Sequence, residues 1–380
     1  MIFDSIKKCK FVYLIYRTTF YENGLIKIHI KMNNKLLQIV LILTFVTCKS
    51  QNVINPKSFT KIIVDTLLLD KISIRAIAID KNKIYYAGNE NRFGNIDLLT
   101  KAKFESKIIN DTLKMEFRSI AQTSTDVFIL SIGNPAILYK FSKTSNNKKI
   151  VYQENNPKVF YDSMQFYDDL NGIAIGDPTE NCLSIITTND GGNSWQKLSC
   201  ENAPKIVDGE AAFAASNTNI VIKNNKTWIV SGGKKSRIFY SDNIGKTFKT
   251  IETPIIQGEA MTGIFTADFF DEKNGIIAGG NYDKPNQNFG NKAITKNGGK
   301  TWKLIAENQG FGYASCIKYI PKSNAKKLIC VGSTGIFFSH DSAKTWTKLS
   351  DNKELFTIAL IDENSAVAAG RNCILKLSFK

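Results

Sequence analysis

Two near-identical tetrapeptides, DGEA and QGEA, place the carboxylates of Glu210 and Glu259 at matching points of the sequence. Two carboxylates about 5–10 Å apart are the acid and the base of glycoside hydrolysis. The alternative is that these groups are solvated, or paired with Arg75 and Arg118 across a central channel. We favour the second interpretation, because structural ion pairs at such a position are common.

Other kinds of catalytic chemistry find few residues to support them. The chain of 380 residues has only two histidines, His29 and His340, and His29 lies in a segment that we predict to be removed. A histidine-based triad or a zinc hydrolase site is therefore excluded. No glycine-rich phosphate loop follows a strand, so we predict neither a cofactor nor a metal. The formal net charge is +16, but the lysines are scattered, which favours a solvated basic surface over nucleic-acid binding.

The N-terminal segment predicts export. An apolar run of 11 residues, LLQIVLILTFV, follows Lys35 and is shorter than the roughly 20 residues that a membrane span needs. The last two residues of this run and the two that follow it, FVTC, resemble the lipobox of bacterial lipoproteins. We therefore predict a lipid on Cys48. The alternative is a genuine N-terminal segment followed by an uncleaved anchor. The predicted organisation is an upstream extension at 1–31, a signal peptide at 32–47, a linker at 48–57 and a folded domain at 58–380.

Internal repetition is the strongest signal, and it should be sought before single elements are assigned. Four octapeptides share Ser or Thr, then Asp or Asn two residues on, and an aromatic residue at the end. They are TNDGGNSW at 188–195, SDNIGKTF at 241–248, TKNGGKTW at 295–302 and SHDSAKTW at 339–346. The pattern resembles the Asp-box, or BNR repeat.

Each Asp-box predicts a hairpin turn. The Asp or Asn side chain caps backbone N–H groups, Gly supplies a positive φ, and the aromatic ring packs beneath the turn. One box has Ala343 where Gly is expected. We interpret the boxes as structural elements that stabilise the hairpins and not as binding sites. Their defining residues are Asp190, Trp195, Asn243, Phe248, Asn297, Trp302, Asp341 and Trp346.

A second period predicts the fold class. Apolar strands that end in glycine recur at Gly88, Gly133, Gly176, Gly232, Gly279, Gly332 and Gly370. Each strand has an apolar strand before it, and most have a strand pair after it. The pattern predicts an all-β, seven-bladed β-propeller with four-stranded antiparallel blades and Asp-box hairpins. Residues 59–69 are expected to close the ring as the outer strand of the last blade.

Two cysteine pairs lie symmetrically about predicted turns. Cys182 and Cys200 flank the first Asp-box, and Cys316 and Cys330 flank the turn PKSNAKK. Paired hairpin positions approach closely enough for a disulfide, and an exported protein can keep such a bond. The alternative for each pair is buried free cysteine, and Cys373 is left unpaired.

Propeller topology predicts which residues share the top face, opposite the Asp-box turns. The starts of the inner strands and the loops after the second strands meet there, and Asp162 and Arg237 belong to this set. The candidate binding residues of this face are Arg75, Arg118, Asp177, Glu210, Glu259, Tyr282, Tyr313 and Arg371. Phe289 and Phe311 are further candidates for an aromatic platform.

Two family resemblances bear on function. The boxes resemble those of sialidases, but the Arg-Ile-Pro motif of that family is absent. From about residue 59 onward the chain resembles the YCF48-like group, relatives of the photosystem II stability/assembly factor, some of them labelled oxidoreductases. The segments that carry this resemblance are GIAIGDP, DGEAAFAASNT, GIIAGGNYDKP and AITKNGGKTW. It implies a seven-bladed assembly platform with an arginine-bearing patch, at which Arg75 and Arg118 stand.

The sequence therefore predicts an exported, lipid-anchored, non-catalytic propeller that binds an envelope protein through its top face. We expect a monomer that touches the membrane only through its lipid. The alternatives are a glycan-binding or glycan-hydrolysing propeller that uses Glu210, Glu259 and Asp177, and an oxidoreductase like some labelled relatives.

Overall fold

The computed structural model describes residues 58–109, 113–145 and 147–380, so the predicted extension, signal peptide, linker and lipidated Cys48 lie outside it. The described residues form 28 β-strands. The first fourteen are β1 Ile62–Asp80, β2 Lys83–Gly88, β3 Arg92–Asp97, β4 Lys103–Lys107, β5 Phe117–Gln122, β6 Asp126–Ser131, β7 Ala136–Ser142, β8 Lys148–Glu154, β9 Tyr161–Phe166, β10 Gly172–Gly176, β11 Ser184–Thr188, β12 Gln196–Lys197, β13 Glu210–Ala211 and β14 Ile220–Lys223. The others are β15 Lys226–Val230, β16 Gly232–Gly233, β17 Arg237–Ser241, β18 Lys249–Glu252, β19 Thr262–Phe269, β20 Gly275–Asn281, β21 Lys292–Thr295, β22 Lys303–Leu304, β23 Cys316–Tyr319, β24 Leu328–Gly332, β25 Gly335–Ser339, β26 Thr347–Ser350, β27 Leu355–Leu360 and β28 Ser365–Phe379.

These strands form six antiparallel sheets, which we number as blades. Blade 1 has the order β27-β28-β1-β2-β3-β4, blade 2 is β5-β6-β7-β8, and blade 3 is β9-β10-β11-β12. Blade 4 is β14-β15-β17-β18, blade 5 is β13-β16-β19-β20-β21-β22, and blade 6 is β23-β24-β25-β26. The prediction of an all-β propeller is confirmed.

The prediction of seven four-stranded blades was wrong, since the described residues form six hydrogen-bonded sheets, two of which have six strands. The physical reason is the continuity of β1, which pairs with β28 up to Ser73 and with β2 from Ile74 onward. The units that Gly88 and Gly370 mark are therefore joined in blade 1. The expected pairing of the two chain ends is present, because Ile62 pairs with Phe379.

The hydrophobic cores lie between neighbouring blades. Phe128 of blade 2 packs in one cluster with Met164 of blade 3, and the rings of Trp228 in blade 4 and Phe269 in blade 5 stack at 3.9 Å. Middle strands such as β10, with the sequence GIAIG, are buried at every residue. Both faces of such a strand are covered because each blade packs against a blade on either side.

Candidate functional site

β-bulges position the side chains at the centre of the top face. The top face is the end of the sheets at which inner strands begin, and the bottom face holds the Asp-box turns. A bulge leaves one residue outside the strand pairing and turns its side chain to a new direction. Five inner strands carry a bulge, at Arg75 in β1, Arg118 in β5, Asp162 in β9, Phe265 in β19 and Phe356 in β27. In β1 the bulge directly follows the change of partner from β28 to β2, and in the other strands it lies close to the first residue.

Recurring glycines allow four of these five bulges, all except the one at Arg118. A Cβ added to Gly88 would lie 2.7 Å from the carbonyl oxygen of Ser73, two residues before Arg75. A Cβ on Gly370 would collide with the carbonyl oxygen of Glu354, two residues before Phe356. A real Cβ cannot approach so closely. Gly176 and Gly279 are crowded in the same way by the carbonyl oxygens of Phe160 and Gly263, whereas a Cβ on Gly133, in the blade of Arg118, would meet nothing within 4 Å.

A single segment of blade 4 fills the centre of the ring. This segment, residues 213–218 with the sequence FAASNT, is called the plug here. Its hydrogen bonds reach the five other blades: Arg75 Nη1 to Ala215 O (3.3 Å), Thr357 Oγ1 to Ser216 O (3.2 Å), Asn217 Nδ2 to Ile120 O (2.8 Å), Met164 N to Asn217 Oδ1 (2.9 Å), Thr218 Oγ1 to Thr266 Oγ1 (2.8 Å) and Ser216 Oγ to Ser315 O (2.6 Å).

The plug was not recognised as a functional element from the sequence. Its small polar residues resemble an ordinary loop, although DGEAAFAASNT is one of the segments that carry the family resemblance. Asn217 has a φ of 60°, in the left-handed region that Asn tolerates better than most residues. Because the plug fills the channel centre, the top face presents a surface there and not an open tunnel.

Four aromatic rings extend from the plug towards solvent. Phe213 stacks on Phe265 at 4.0 Å, Phe265 meets Tyr313 edge-on at 4.8 Å, and Tyr313 meets Tyr282 edge-on at 5.1 Å. Tyr313 is buried, whereas Tyr282 is 46% exposed. The row therefore ends in one accessible ring that is held in place by buried ones. Phe311, expected on the same face, is instead buried against Trp346 in the core.

The two predicted arginines belong to this site. The guanidinium of Arg75 lies 4.1 Å from the centre of the Phe356 ring, and that of Arg118 lies 5.8 Å from the Phe160 ring. Burial lowers the pKa of Arg75, and the nearby charge of Arg118 lowers it further. Arg118 forms an ion pair with Glu116 at 2.8 Å. Both arginines are half-buried, and the Nε of Arg75 is enclosed without a hydrogen-bond partner among the described residues.

A buried pair of carboxyl groups lies next to Arg118. Asp162 is fully buried, and its oxygens accept no well-formed hydrogen bond from the residues that the structure describes. Burial and the nearby Asp177 raise the pKa of Asp162, although Arg118 and the amides of Ala214 and Asp177 act to lower it. Burial raises the pKa of Asp177 to about 7, against a hydrogen bond of 3.1 Å from the Ala212 amide. The pair therefore favours protonated carboxyl groups beside the plug.

Glu210 has a structural environment. It is buried, both of its oxygens are bonded to Arg237, and Ser231 Oγ donates to it at 2.6 Å. The partner is not Arg75 or Arg118, because Glu210 pairs through β13 with the end of β16 and faces the first residue of β17. A buried carboxylate with both oxygens bonded to one arginine is a structural ion pair.

Glu259 and Arg371 are solvated. The side chain of Glu259 is 62% exposed, near Lys284 at 3.6 Å, and accepts a hydrogen bond from Asn281 at 2.9 Å. Arg371 is exposed and faces Glu354 at 3.3 Å. Glu210 and Glu259 thus have different surroundings despite their matching sequence context, which offers no support for an acid and base pair.

The Asp-boxes form the same turn in four places. Oδ1 of Asp190 accepts hydrogen bonds from the amides of Asn193 and Ser194, and Oδ1 of Asn297 accepts one from the amide of Thr301. Burial acts to raise the pKa of Asp190, but hydrogen bonds from the side chain and amide of Ser194, from the Thr188 hydroxyl and from the Asn193 amide lower it to about 2. The rings of Trp195, Trp302 and Trp346 pack against Phe166, Phe269 and Phe311, and Phe248 packs at the edge of a core cluster. Asn243 and Asp341 bond their turns in the same manner.

The two cysteine pairs behave differently. Cys182 and Cys200 form a disulfide with a Cα–Cα distance of 5.6 Å. The other predicted pair was wrong, because Cys316 and Cys330 are both buried and free, as is Cys373. Cys316 pairs with Val331 and Ile317 with Cys330, so the two thiols point to opposite faces of blade 6. A register shift of one residue reverses the face of a side chain.

Two further observations concern metals and membranes. Within residues 58–109, 113–145 and 147–380, no group of three or more His, Cys, Asp or Glu side chains is arranged to hold a metal ion. The same ranges contain no helix that is long and apolar enough to cross a bilayer.

Comparison with known proteins identifies the class of fold. No protein-family model matches the chain, and no curated protein is significantly similar to it. Among solved structures, β-propellers match. A structure described as YCF48 bound to D1 peptide has a TM-score of 0.63 and 12% identity, and the match covers 85% of this chain and 98% of that chain. YCF48 from Cyanidioschyzon merolae matches with a TM-score of 0.61 and 10% identity, over 83% of this chain and 98% of that chain.

The similarity is one of fold. The WD40 repeats of RRP9 match almost as well, with a TM-score of 0.60, 9% identity and coverage of 83% of this chain and 97% of that chain. Identities near 10% carry no information about ligands. The chain has the fold of a YCF48-like β-propeller, and its function must be argued from its own site.

Proposed function

We propose that this protein is a non-catalytic platform that binds another protein through its top face. The observation that carries the proposal is the plug. It fills the channel and leaves a surface on which Tyr282 is exposed beside Arg75 and Arg118. An exposed aromatic ring held by buried neighbours, with arginine next to it, is the composition of protein-binding hot spots.

The structural comparison supports the same proposal. One of the matching propellers is described as bound to a peptide, so a propeller of this fold can bind a segment of another protein. The surroundings of Glu210 and Glu259 do not favour glycoside hydrolysis, and no observation favours an oxidoreductase. We therefore keep the platform as the function that the geometry supports best.

Export and lipid anchoring form a second part of the proposal, which rests on the sequence alone. The basic flank, the short apolar run and Cys48 support it. The test is labelling of growing cells with radioactive palmitate. We expect label on the wild type and none on Cys48→Ser, and label on neither protein would contradict the lipid anchor.

The test of the top face is site-specific photo-crosslinking in cells. A photoreactive amino acid replaces Tyr282 in one variant and Phe104 in a control. Phe104 is similarly exposed, at 49%, but lies on the outer strand β4. We expect a discrete protein adduct from position 282 and none of the same mass from position 104.

A second substitution tests whether the arginine contributes. Arg118→Gln, introduced together with the photoreactive residue at 282, is expected to abolish the adduct while the melting temperature stays within a few degrees of the parent protein. Arg118 is suited to this test because its side chain is 25% exposed. Adducts that are equal at positions 282 and 104, or unchanged by Arg118→Gln, would contradict the platform.

A further inference from the structure

A cationic pocket lies on the bottom face, away from the proposed platform. Its volume is about 560 Å³, and it is formed between blade 4 and the turns of blade 5. Four lysines line it: Lys226 from blade 4, and Lys273, Lys296 and Lys300 from blade 5. Pockets of this size accommodate small-molecule ligands.

The charge of this pocket is largely uncompensated. Lys226 forms an ion pair with Glu272, the one carboxylate that lines the pocket. Lys273, Lys296 and Lys300 form no ion pair with any residue in the described part of the chain. Four lysine side chains that line one cavity, with a single carboxylate among the lining residues, favour an anionic ligand.

The Asp-box in this pocket lacks its usual charge. Asn297 stands where Asp190 and Asp341 stand in two other boxes, and it keeps the same turn. Its Oδ1 accepts a hydrogen bond from Thr295 Oγ1 at 2.9 Å, and its Nδ2 donates to Thr301 Oγ1 at 2.8 Å. In the box of Asp341 the hydroxyl of Thr345 donates instead, at 2.7 Å. The turn accepts either residue, so the amide at 297 changes the pocket by removing a negative charge.

The opposite wall of the pocket is apolar. Trp228, Tyr240 and Ile251 line it, and the rings of Trp228 and Tyr240 lie 5.6 Å apart. The indole N–H of Trp228 is already bonded to Gly298 O at 3.0 Å. Trp228 is fully buried and supports this wall from behind, so the half-buried Tyr240 and Ile251 supply the ring and aliphatic surface against which the C–H face of a sugar can pack.

We propose that this pocket binds a phosphorylated sugar, with the phosphate near Lys296 and Lys300 and the sugar ring against Tyr240. The ligand class is available in two forms, as a free sugar phosphate or as the phosphorylated headgroup of a glycolipid. The site is independent of the top face, so its failure would leave the platform intact.

The experiment is isothermal titration of the full-length protein with fructose 1,6-bisphosphate at low ionic strength. We expect saturable binding that weakens with added salt. Lys296→Gln with Lys300→Gln is expected to weaken it by about tenfold or more. Lys344→Gln is the matched control, because Lys344 occupies the place of Lys300 in the fourth Asp-box, and it is expected to leave the affinity unchanged.

A second pair of variants changes charge without removing any lysine. Asn297→Asp is expected to weaken binding by roughly fivefold, while Asn243→Asp, the same change in a box outside the pocket, has no effect. Absence of saturable binding to the wild type, or equal binding by the double lysine variant, would overturn the proposal. Equal affinity for inorganic phosphate would overturn its sugar component.

The two sources of the ligand are separated with detergent micelles that contain a lipid with a phosphorylated glucosamine headgroup. Retention of these micelles by the wild type and their loss with the double lysine variant would assign the headgroup. Binding of fructose 1,6-bisphosphate with equal micelle retention by both proteins would assign the free sugar phosphate. Either result supports the pocket.

Discussion

The top and bottom faces are built from the same repeated strands but use their repeats in opposite ways. On the bottom face, four turns carry nearly the same residues, from Thr188 to Trp195 in the first and from Ser339 to Trp346 in the last. On the top face, the bulge position carries Arg in two strands, Asp in one and Phe in two. The backbone geometry of the turns requires the repeated residues of the bottom face. The bulges of the top face place no such requirement on the side chain, so their residues are free to serve recognition.

The two faces also differ in how far their hydrogen bonds reach. An Asp-box is satisfied within four residues, as in the bond from the Ser194 amide to Asp190. The plug bonds to partners such as Arg75, which is 140 residues away. The bottom turns are therefore local units, whereas the centre of the top face exists only when the ring is closed.

The largest expected effect comes from breaking the plug. Asn217→Ala removes the acceptor of the Met164 amide and the donor to Ile120 O, and it leaves Ala at a φ of 60°. Two backbone groups that lose their partners and a residue in the left-handed region should together lower the free energy of unfolding by about 3 kcal/mol. Urea denaturation measures this change.

The matched control for the plug is Asn324→Ala. Asn324 has a φ of 53° in an exposed turn of blade 6, so its replacement isolates the backbone cost of about 1 kcal/mol. If both substitutions cost the same, the plug bonds to the other blades contribute nothing and the contrast between the faces fails.

The next effect concerns pH. The pKa of Asp177 is raised to about 7 from the ordinary 3.8, so between these values the folded protein holds a proton that the unfolded chain has lost. Stability is thus fully present below about pH 4 and falls as pH rises towards 7. Asp177→Asn should remove this loss, and its stability relative to the wild type should rise by about 3 kcal/mol between pH 4.5 and pH 7.5.

Asp97→Asn provides the control for this titration. Asp97 is the half-buried last residue of β3, where hydrogen bonds from the amides of Thr100 and Leu99 lower its pKa, so its replacement should shift stability equally at every pH above 5. Denaturation curves across the pH range test both variants. A wild type and an Asp177→Asn variant with parallel pH profiles would show that the buried pair titrates normally.

The fold was largely predictable from the sequence, because hydrophobic strands and turn residues are local signals. The glycine period gave the class of fold, and the Asp-boxes gave the bottom face. The number of blades was not predictable, since Gly88 and Gly370 mark similar units whether or not β1 runs unbroken between them. The free thiols of Cys316 and Cys330 show the same limit, because symmetry about a turn does not determine register.

The part of the candidate site that the sequence could predict is the set of residues whose place follows from their position along a strand. Arg75, Arg118 and Asp162 were placed at inner-strand starts, and the structure brings them to one centre. The plug, and the contact between Asp162 and Asp177, could not be predicted, because they depend on bonds between residues far apart in sequence. The glycine opposite four of the five bulges is the local signal that indicates which residues leave the strand pairing; the bulge at Arg118 faces Ser131 and Leu130 and has no such signal.

The smallest expected effect tests whether the bottom face is governed by backbone geometry alone. Ile244 has a φ of 60° at a turn position where the first and third boxes have Gly191 and Gly298. A β-branched residue is strained there, so Ile244→Gly should raise the free energy of unfolding by about 1 kcal/mol, after the entropy cost of glycine. Ser342→Gly, at the same position of the fourth box with a φ of 63°, should give a smaller gain because serine is not β-branched. Thermal denaturation of both variants makes the comparison. A loss of stability in Ile244→Gly would mean that the side chain contributes more than its backbone strain costs, and the bottom face would then be more than a set of turns.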